Sequence, residues 1–445
     1  KMTRARDGEI IADKIIDIMD AQPYNGKKAE GRISFLYSRN NPGKITKPFI
    51  VMEGFDPLEL APKGEKLYRG YIKYGNTNIN TLCGYLKNNF SVYEKLRNEY
   101  DIIYIDLFDS KLCIQANARL LERAIEIINE QKKLDGCSEK NVVLGQSMGG
   151  LIARYALKEM EKQNRIHDVS LLVCQDTPHL GAHIPLGVLQ GINGLLKFYY
   201  NNAFFSLLDI GDIKSKLVPI LYSDAAKQML INYVGDDGYL DNSYHDAWQR
   251  ELRQMGYPQG DSGYKMRIVS ISNGQTSVVY VDSPYIYVDG KASTTIITDL
   301  LCEFFAPNIW GMALDVVFDD WQTVVLGLLP GSSTLTVHFE ANPPNYKSLP
   351  ICNMYLRYTK KFLWIAKIRR TIFSYQKTWP SGMIYYDFMP GSFYKLSDSQ
   401  GEHSDESQAP KWVRFFAKYN LNTEFGDKIM FIPTVSALDI GEGKV

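Results

Sequence analysis

A doubly wound, mostly parallel α/β sheet carrying a helical cap and a β-rich insertion is the architecture this 445-residue chain predicts. Three observations predict it. Short runs at residues 49–52 (FIVM), 102–105 (IIYI), 141–144 (NVVL) and 171–174 (LLVC) are almost continuously apolar, as strands covered on both faces of a parallel sheet are. Helical periodicity separates them, through Ala118, Leu121, Ile125 and Ile128 in one segment and Leu151, Ile152, Tyr155, Ala156 and Met160 in another. The run VVLGQSMGGL at 142–151 then places a serine between glycines where a strand turns into a helix. Strands alternating with helices imply right-handed crossovers between parallel neighbours.

Residues 1–180 form the first part of this core, with 32–37 as an additional early strand and Gly31, Asn41 and Pro42-Gly43 as punctuation. From 181 to 263 the alternation lapses into apolar but interrupted segments, such as IPLGVL at 184–189 and LLKFYY at 195–200. They predict a helical cap, readable as a packed unit with its own small core or as a lid whose apolar underside lines an acyl pocket. Residues 264–274 return to the core as a strand (YKMRIVSIS) closed by Asn273-Gly274. Between 275 and 425 tyrosine, valine, threonine and isoleucine dominate, and VVYV at 278–281, YIYV at 285–288 before an Asp289-Gly290 turn, and TLTVHF at 334–339 are strand and hairpin signals. This is the β-rich accessory insertion, with 401–407 as an exposed polar loop. Its aromatic residues are read first as core. Residues 426–445 are expected to resume the core with its final strand and turn.

Composition narrows the function. The formal net charge is +0, against nucleic acid or an anionic membrane surface as the main partner. A small-molecule or lipid-like partner is expected, and the oligomeric state is left open. No run of about 20 apolar residues predicts a transmembrane helix. The chain starts at Lys1 without an export signal, and its compartment is left open. Six cysteines lie far apart with no CxxC pattern and are read as mostly buried thiols, and no DxDxDG loop is present, so no metal and no cofactor are expected.

The chemistry converges on Ser147. A strand that reverses directly into a helix brings backbone segments close together, which Gly145 and Gly149 permit, and leaves the serine strained with its hydroxyl exposed. A serine hydroxyl is a poor nucleophile near neutrality, so it needs a base, usually a histidine held in its tautomer by a carboxylate. It also needs oxyanion donors. The N–H of Met148 follows the nucleophile, and the turn after residues 49–52 (Glu53-Gly54-Phe55-Asp56-Pro57) offers that of Phe55.

The segments Gly145-Gln146-Ser147-Met148-Gly149-Gly150, Glu53-Gly54-Phe55-Asp56 and Asp176-Thr177-Pro178-His179-Leu180-Gly181 together resemble the lipase and esterase branch of the α/β-hydrolases, nearest to the PGAP1-like group. The likeness is dense to about Pro185, taking in Asp106-Leu107-Phe108-Asp109 and Asn117-Ala118, and sparse after Asn273. It implies an α/β-hydrolase fold and a serine ester hydrolase acting through an acyl-enzyme, and it leans towards exported proteins. Residues 431–438 (FIPTVSAL) resemble the DGxVPxxSA turn that carries the acid in many of these lipases, but Ile429 stands where that pattern has aspartate. Three carboxylates therefore compete: Asp176 at the end of the strand after the nucleophile helix, and Asp439 and Asp427 beside the late turn. A structural turn role is the alternative for Asp176.

The base is less plain. The family's order is serine, acid, histidine, and the six histidines are His167, His179, His183, His245, His338 and His403. His179 belongs to a Thr-Pro-His turn that is structural in the resembling lipases. His403 is the in-chain fallback, and a histidine beyond Val445 is the leading expectation. Two rival functions stand beside ester hydrolysis. One is a catalytically silent fold binding glycan or protein through the insertion; the other is acyl transfer or amide cleavage by the same nucleophile.

Overall fold

Five strands of the main sheet are parallel neighbours, and the central ones, at 48–52 and 101–107, are apolar on both faces. The computed structural model describes residues 12–55, 78–201, 218–261, 263–278, 280–293, 331–362, 366–381, 386–394, 418–426 and 429–440. The sheet comprises β1 (Lys14–Met19), β2 (Glu30–Leu36), β3 (Pro48–Met52), β4 (Asp101–Leu107), β5 (Asn141–Gln146), β6 (Val169–Gln175) and β7 (Arg267–Ile271), ordered β1-β2-β4-β3-β5-β6-β7. From β4 to β7 the pairing is parallel, whereas β1 and β2 add an antiparallel edge. Ile50, Met52, Ile103, Ile105, Val143 and Leu172 are wholly buried, each contributing about 1.5–3 kcal/mol relative to exposure. Covering helices include α1 (Ile79–Asn89), α2 (Tyr93–Glu99), α3 (Ile114–Asp135) and α4 (Met148–Lys162).

The region read as a cap divides between two neighbours. Helices α5 (Leu186–Asn201), α6 (Val218–Leu221), α7 (Asp224–Met229) and α8 (Ser243–Met255) occupy it. α7 and α8 join the main core: Ala225, Met229, Trp248 and Leu252 pack in the same cluster as Leu151 and Tyr155 of α4. Polar ties reinforce this, with the Gln228 carboxamide accepting from the Ile114 N–H at 2.8 Å and Tyr155 donating to Glu251 at 2.6 Å. α5 turns the other way, towards the insertion. A Cβ on its Gly191 or Gly194 would lie 2.5 Å from Phe339 or 2.6 Å from Tyr375, so the helix meets a sheet at contact distance. Tyr375 also donates to Gln190 at 2.6 Å.

That sheet is wholly antiparallel, with β8 (Ile286–Ser293), β9 (Gly331–Ala341), β10 (Cys352–Phe362), β11 (Ala366–Lys377) and β13 (Lys418–Phe425) in the order β11-β10-β9-β8-β13. Three expectations are corrected here. Residues 278, 280 and 281 are not strand. Asp289-Gly290 is not a turn but the middle of β8, where Asp289 pairs with His338 on one side and Asn422 on the other. Two long neighbours outweigh a local turn preference. The late strand β14 (Ile429–Pro433) does not rejoin the main sheet but pairs with β12 (Gly391–Tyr394), and leads into a short helix, α9 (Thr434–Ala437). Asp427, His403 and Cys302 lie outside the described residues. The five described cysteines are free, and no helix among the described residues is long and apolar enough to cross a membrane.

Candidate active site

Ser147 sits between β5 and α4 with φ 51° and ψ −123°, outside the regions that L-residues favour. The turn is held open at that geometry by its surroundings. The Ser147 N–H donates to the Gln175 carbonyl at 2.8 Å, its carbonyl accepts from Gly150 at 3.0 Å, and its hydroxyl caps nothing. Only glycine fits on either side. A Cβ at Gly145 would lie 2.4 Å from the Gly150 Cα, and one at Gly149 2.3 Å from the Glu53 carbonyl oxygen. The elbow is therefore wedged between its own helix and the end of β3.

The same packing brings up the turn after β3. Glu53 is wholly buried; its carboxylate accepts from the Leu107 N–H and from the Tyr104 hydroxyl at 3.4 Å, which fixes the strand end against β4. Gly54 then passes so close that a Cβ on it would lie 3.2 Å from the Ser147 Cβ. The next N–H is that of Phe55. Neither it nor the Met148 N–H at the start of α4 has an acceptor among the described residues. Two uncommitted donors thus flank the serine, one reinforced by the positive end of a 15-residue helix.

Asp176 and Asp439 have different surroundings. Asp176, 5% exposed, follows β6 with φ 49°; its N–H donates to Ile271 at 2.7 Å, and its carboxylate accepts from the Asn273 N–H at 3.1 Å. Burial pushes its carboxyl pKa up, against the opposing pull of that N–H and of the Ser392 hydroxyl. Since the Ser147 N–H bonds the Gln175 carbonyl, Asp176 is its neighbour across one peptide unit. Asp439 instead accepts from Arg154 at 3.0 Å and from the Tyr257 hydroxyl. Arg154 projects from α4, 4% exposed, with its guanidinium 3.6 Å from the centre of the Tyr257 ring.

Each described histidine has other partners. His179, 0% exposed, faces Arg154 through Nδ1 at 3.3 Å, and burial, then Arg154, push its pKa down to about 4 against Asp439. His183 lies 3.4 Å from Asp387, which also accepts from Tyr285 at 2.6 Å. His167 accepts from the Val169 N–H, His245 contacts the Gln228 carbonyl, and His338 stands between Asp289 and Glu340. Among the described residues no histidine is hydrogen-bonded to Ser147 or Asp176, and no group of three or more His, Cys, Asp or Glu residues is arranged to hold a metal. Sequence reasoning missed Ser392 and the Arg154 cluster. The only signal for the latter is an arginine on the otherwise apolar face of α4.

Residues 110–224 match the model of the PGAP1-like alpha/beta domain. Among curated proteins none matches. Similar solved structures include a Pyrobaculum calidifontis esterase, at 16% identity over 41% of this chain and 51% of that one, with a TM-score of 0.25. A bacterial heroin esterase gives 12% over 39% and 47%, and brefeldin A esterase, a bacterial homologue of human hormone sensitive lipase, 12% over 60% and 71%, both with TM-scores of 0.25. The chain spans about half the length of the esterase structures first matched. The strand order, the elbow and the PGAP1-like segment are those of the α/β-hydrolase fold.

Proposed function

We propose that the chain is a serine ester hydrolase acting through an acyl-enzyme on Ser147, with small or lipid-like esters as its substrate class. The observation that carries this reading is the strained serine whose hydroxyl caps nothing, set beside two backbone N–H groups that have no acceptor among the described residues. Strain at a residue is kept where the surrounding structure over-determines it, and function is the common reason. Ser147 Oγ attacks the acyl carbon and passes its proton to the base. The negative charge that develops on the carbonyl oxygen is met by the Phe55 and Met148 N–H groups, each worth about 3–4 kcal/mol by analogy with other oxyanion holes. Collapse expels the alcohol, which takes the proton, and water then releases the acid by the same steps in reverse order.

Asp176 is assigned as the acid that orients and balances the base, supported by its place beside Gln175, whose carbonyl holds the Ser147 N–H. Asp439 is engaged by Arg154 and Tyr257 and is the weaker candidate. The base is a histidine outside the described residues, with His403 the in-chain candidate. A fluorophosphonate probe tests the reading: the full-length natural product should be labelled at Ser147, and Ser147→Ala should lose both label and esterase activity. No label on well-folded protein would favour the rival reading, a silent hydrolase fold serving as a binding module, which is supported by the absence of a histidine at Ser147 among the described residues.

A further inference from the structure

We propose that Arg154 is a positioning residue, a buried guanidinium on the nucleophile helix that clamps the 176–181 turn and the 434–439 segment together through Asp439, Tyr257 and His179. The proposal rests on the reading of Ser147 as nucleophile and of Asp176 as its acid. Arg154 lies about two turns along α4 from Ser147, and its side chain meets three separate pieces of chain. Nε donates to the Gly256 carbonyl at 3.2 Å, and one terminal nitrogen lies 3.0 Å from Asp439 and 3.3 Å from His179 Nδ1. The Tyr257 ring covers its face while the Tyr257 hydroxyl reaches the same carboxylate oxygen of Asp439. A second set of bonds ties the clamped pieces to each other. Ser436 Oγ donates to the Gly181 carbonyl at 2.6 Å and accepts from the Leu180 N–H at 3.0 Å, and the Ser436 carbonyl accepts from the His179 N–H at 3.2 Å.

The consequence is geometric. Asp176 begins the turn whose far end, residues 179–181, is held by this cluster, and Thr177 packs against Gly150 in the first turn of α4. One charged side chain thus fixes the relation between the serine's helix and the acid's turn. A guanidinium suits the task because its planar fork can donate in several directions while stacking on an aromatic face. Asp439, on this account, balances the buried charge of Arg154 and orients no base. Asp439 and Arg154 should then behave as one unit, whereas an acid residue would act independently of Arg154.

A double-mutant cycle on the full-length protein separates these cases. Arg154→Met and Asp439→Asn should each lower kcat for p-nitrophenyl butyrate about tenfold with KM within about twofold, in line with the cost of sub-ångström misplacement, and the double variant should be no worse than either. Tyr257→Phe, which keeps the ring and removes only the hydroxyl, should lower kcat about threefold and is the fallback if the charged variants do not fold. Hydrogen exchange gives a readout independent of the nucleophile: the His179 and Leu180 amides should lose protection in all three. If Asp439→Asn costs about 10³-fold or more while Arg154→Met is near native, Asp439 is the acid and the proposal is overturned. Additive effects, or unchanged kcat and exchange in Tyr257→Phe, overturn it as well. If native protein takes no label but exchange responds as stated, the hydrolase reading fails and the clamp stands.

Discussion

Replacing Gly149 by alanine tests how tightly the elbow is built. The added Cβ would lie 2.3 Å from the Glu53 carbonyl oxygen and 2.4 Å from that of Met52, about 1 Å inside ordinary contact. Both are backbone atoms at the end of β3. That end is pinned through the Glu53 carboxylate to Leu107 and Tyr104, and through the Glu53 N–H to the Ile105 carbonyl at 3.3 Å. The strand cannot yield cheaply, so α4 must back away by about 1 Å. Overpacking of this kind costs about 1–3 kcal/mol, against which alanine's better helix propensity returns at most about 1 kcal/mol. The larger effect is kinetic, since a 1 Å displacement of Ser147 from the Phe55 donor should lower kcat/KM about 100-fold. Gly84→Ala in α1 is the control, because nothing lies within 4 Å of its Cβ and it should be stabilising by up to about 1 kcal/mol. Steady-state ester hydrolysis and thermal melts of both variants decide the matter. A Gly149→Ala protein with native rate and native Tm would refute the close-packed elbow.

Asp176→Asn should lower kcat about 10³- to 10⁴-fold while raising Tm at neutral pH. Burial raises the Asp176 pKa above its unfolded value, so its contribution is fully present below that value and is lost as pH rises through the folded pKa; the ionised form is a net cost that asparagine removes. A fall in Tm at neutral pH would contradict this. His179 carries the opposite sign. Its pKa falls from an ordinary 6.5 to about 4, so it supports stability above pH 6.5, and on the order of 3 kcal/mol is lost as pH drops from 6.5 through 4. Denaturant titrations of His179→Gln should show a flatter stability profile over that interval, and an unaltered profile would place the acid sensitivity elsewhere. Ser147→Gly should unfold at higher denaturant than Ser147→Ala by about 1–3 kcal/mol, because only glycine occupies φ 51° and ψ −123° without strain. Equal midpoints would show that the elbow stores no strain.

What could be read from sequence divides by physical range. β3, β4, β5 and β6 are readable because burial writes a nearly unbroken apolar run, and the turns at 53–55, 145–150 and 176–181 because each is contiguous in sequence. β1 is harder to see, since as an edge strand it leaves Ile15 and Met19 exposed and carries charge between them. Asp289-Gly290 misled because a turn propensity worth under about 1 kcal/mol is overridden by two flanking ladders. The pairing of β14 with β12, and the bond between Arg154 and Asp439 across 285 residues, leave no local pattern at all. The same holds for Gly191 and Gly194 of α5, whose reason, close contact with Phe339 and Tyr375, lies far along the chain.

The central claim is that Ser147 is a nucleophile, and mass spectrometry of the full-length protein after reaction with a fluorophosphonate tests it most directly. The account predicts one adduct per chain on the peptide carrying Ser147, absent in Ser147→Ala and formed at least 100-fold more slowly in Asp176→Asn. An adduct on another serine, or none on protein whose melt is native, would contradict it.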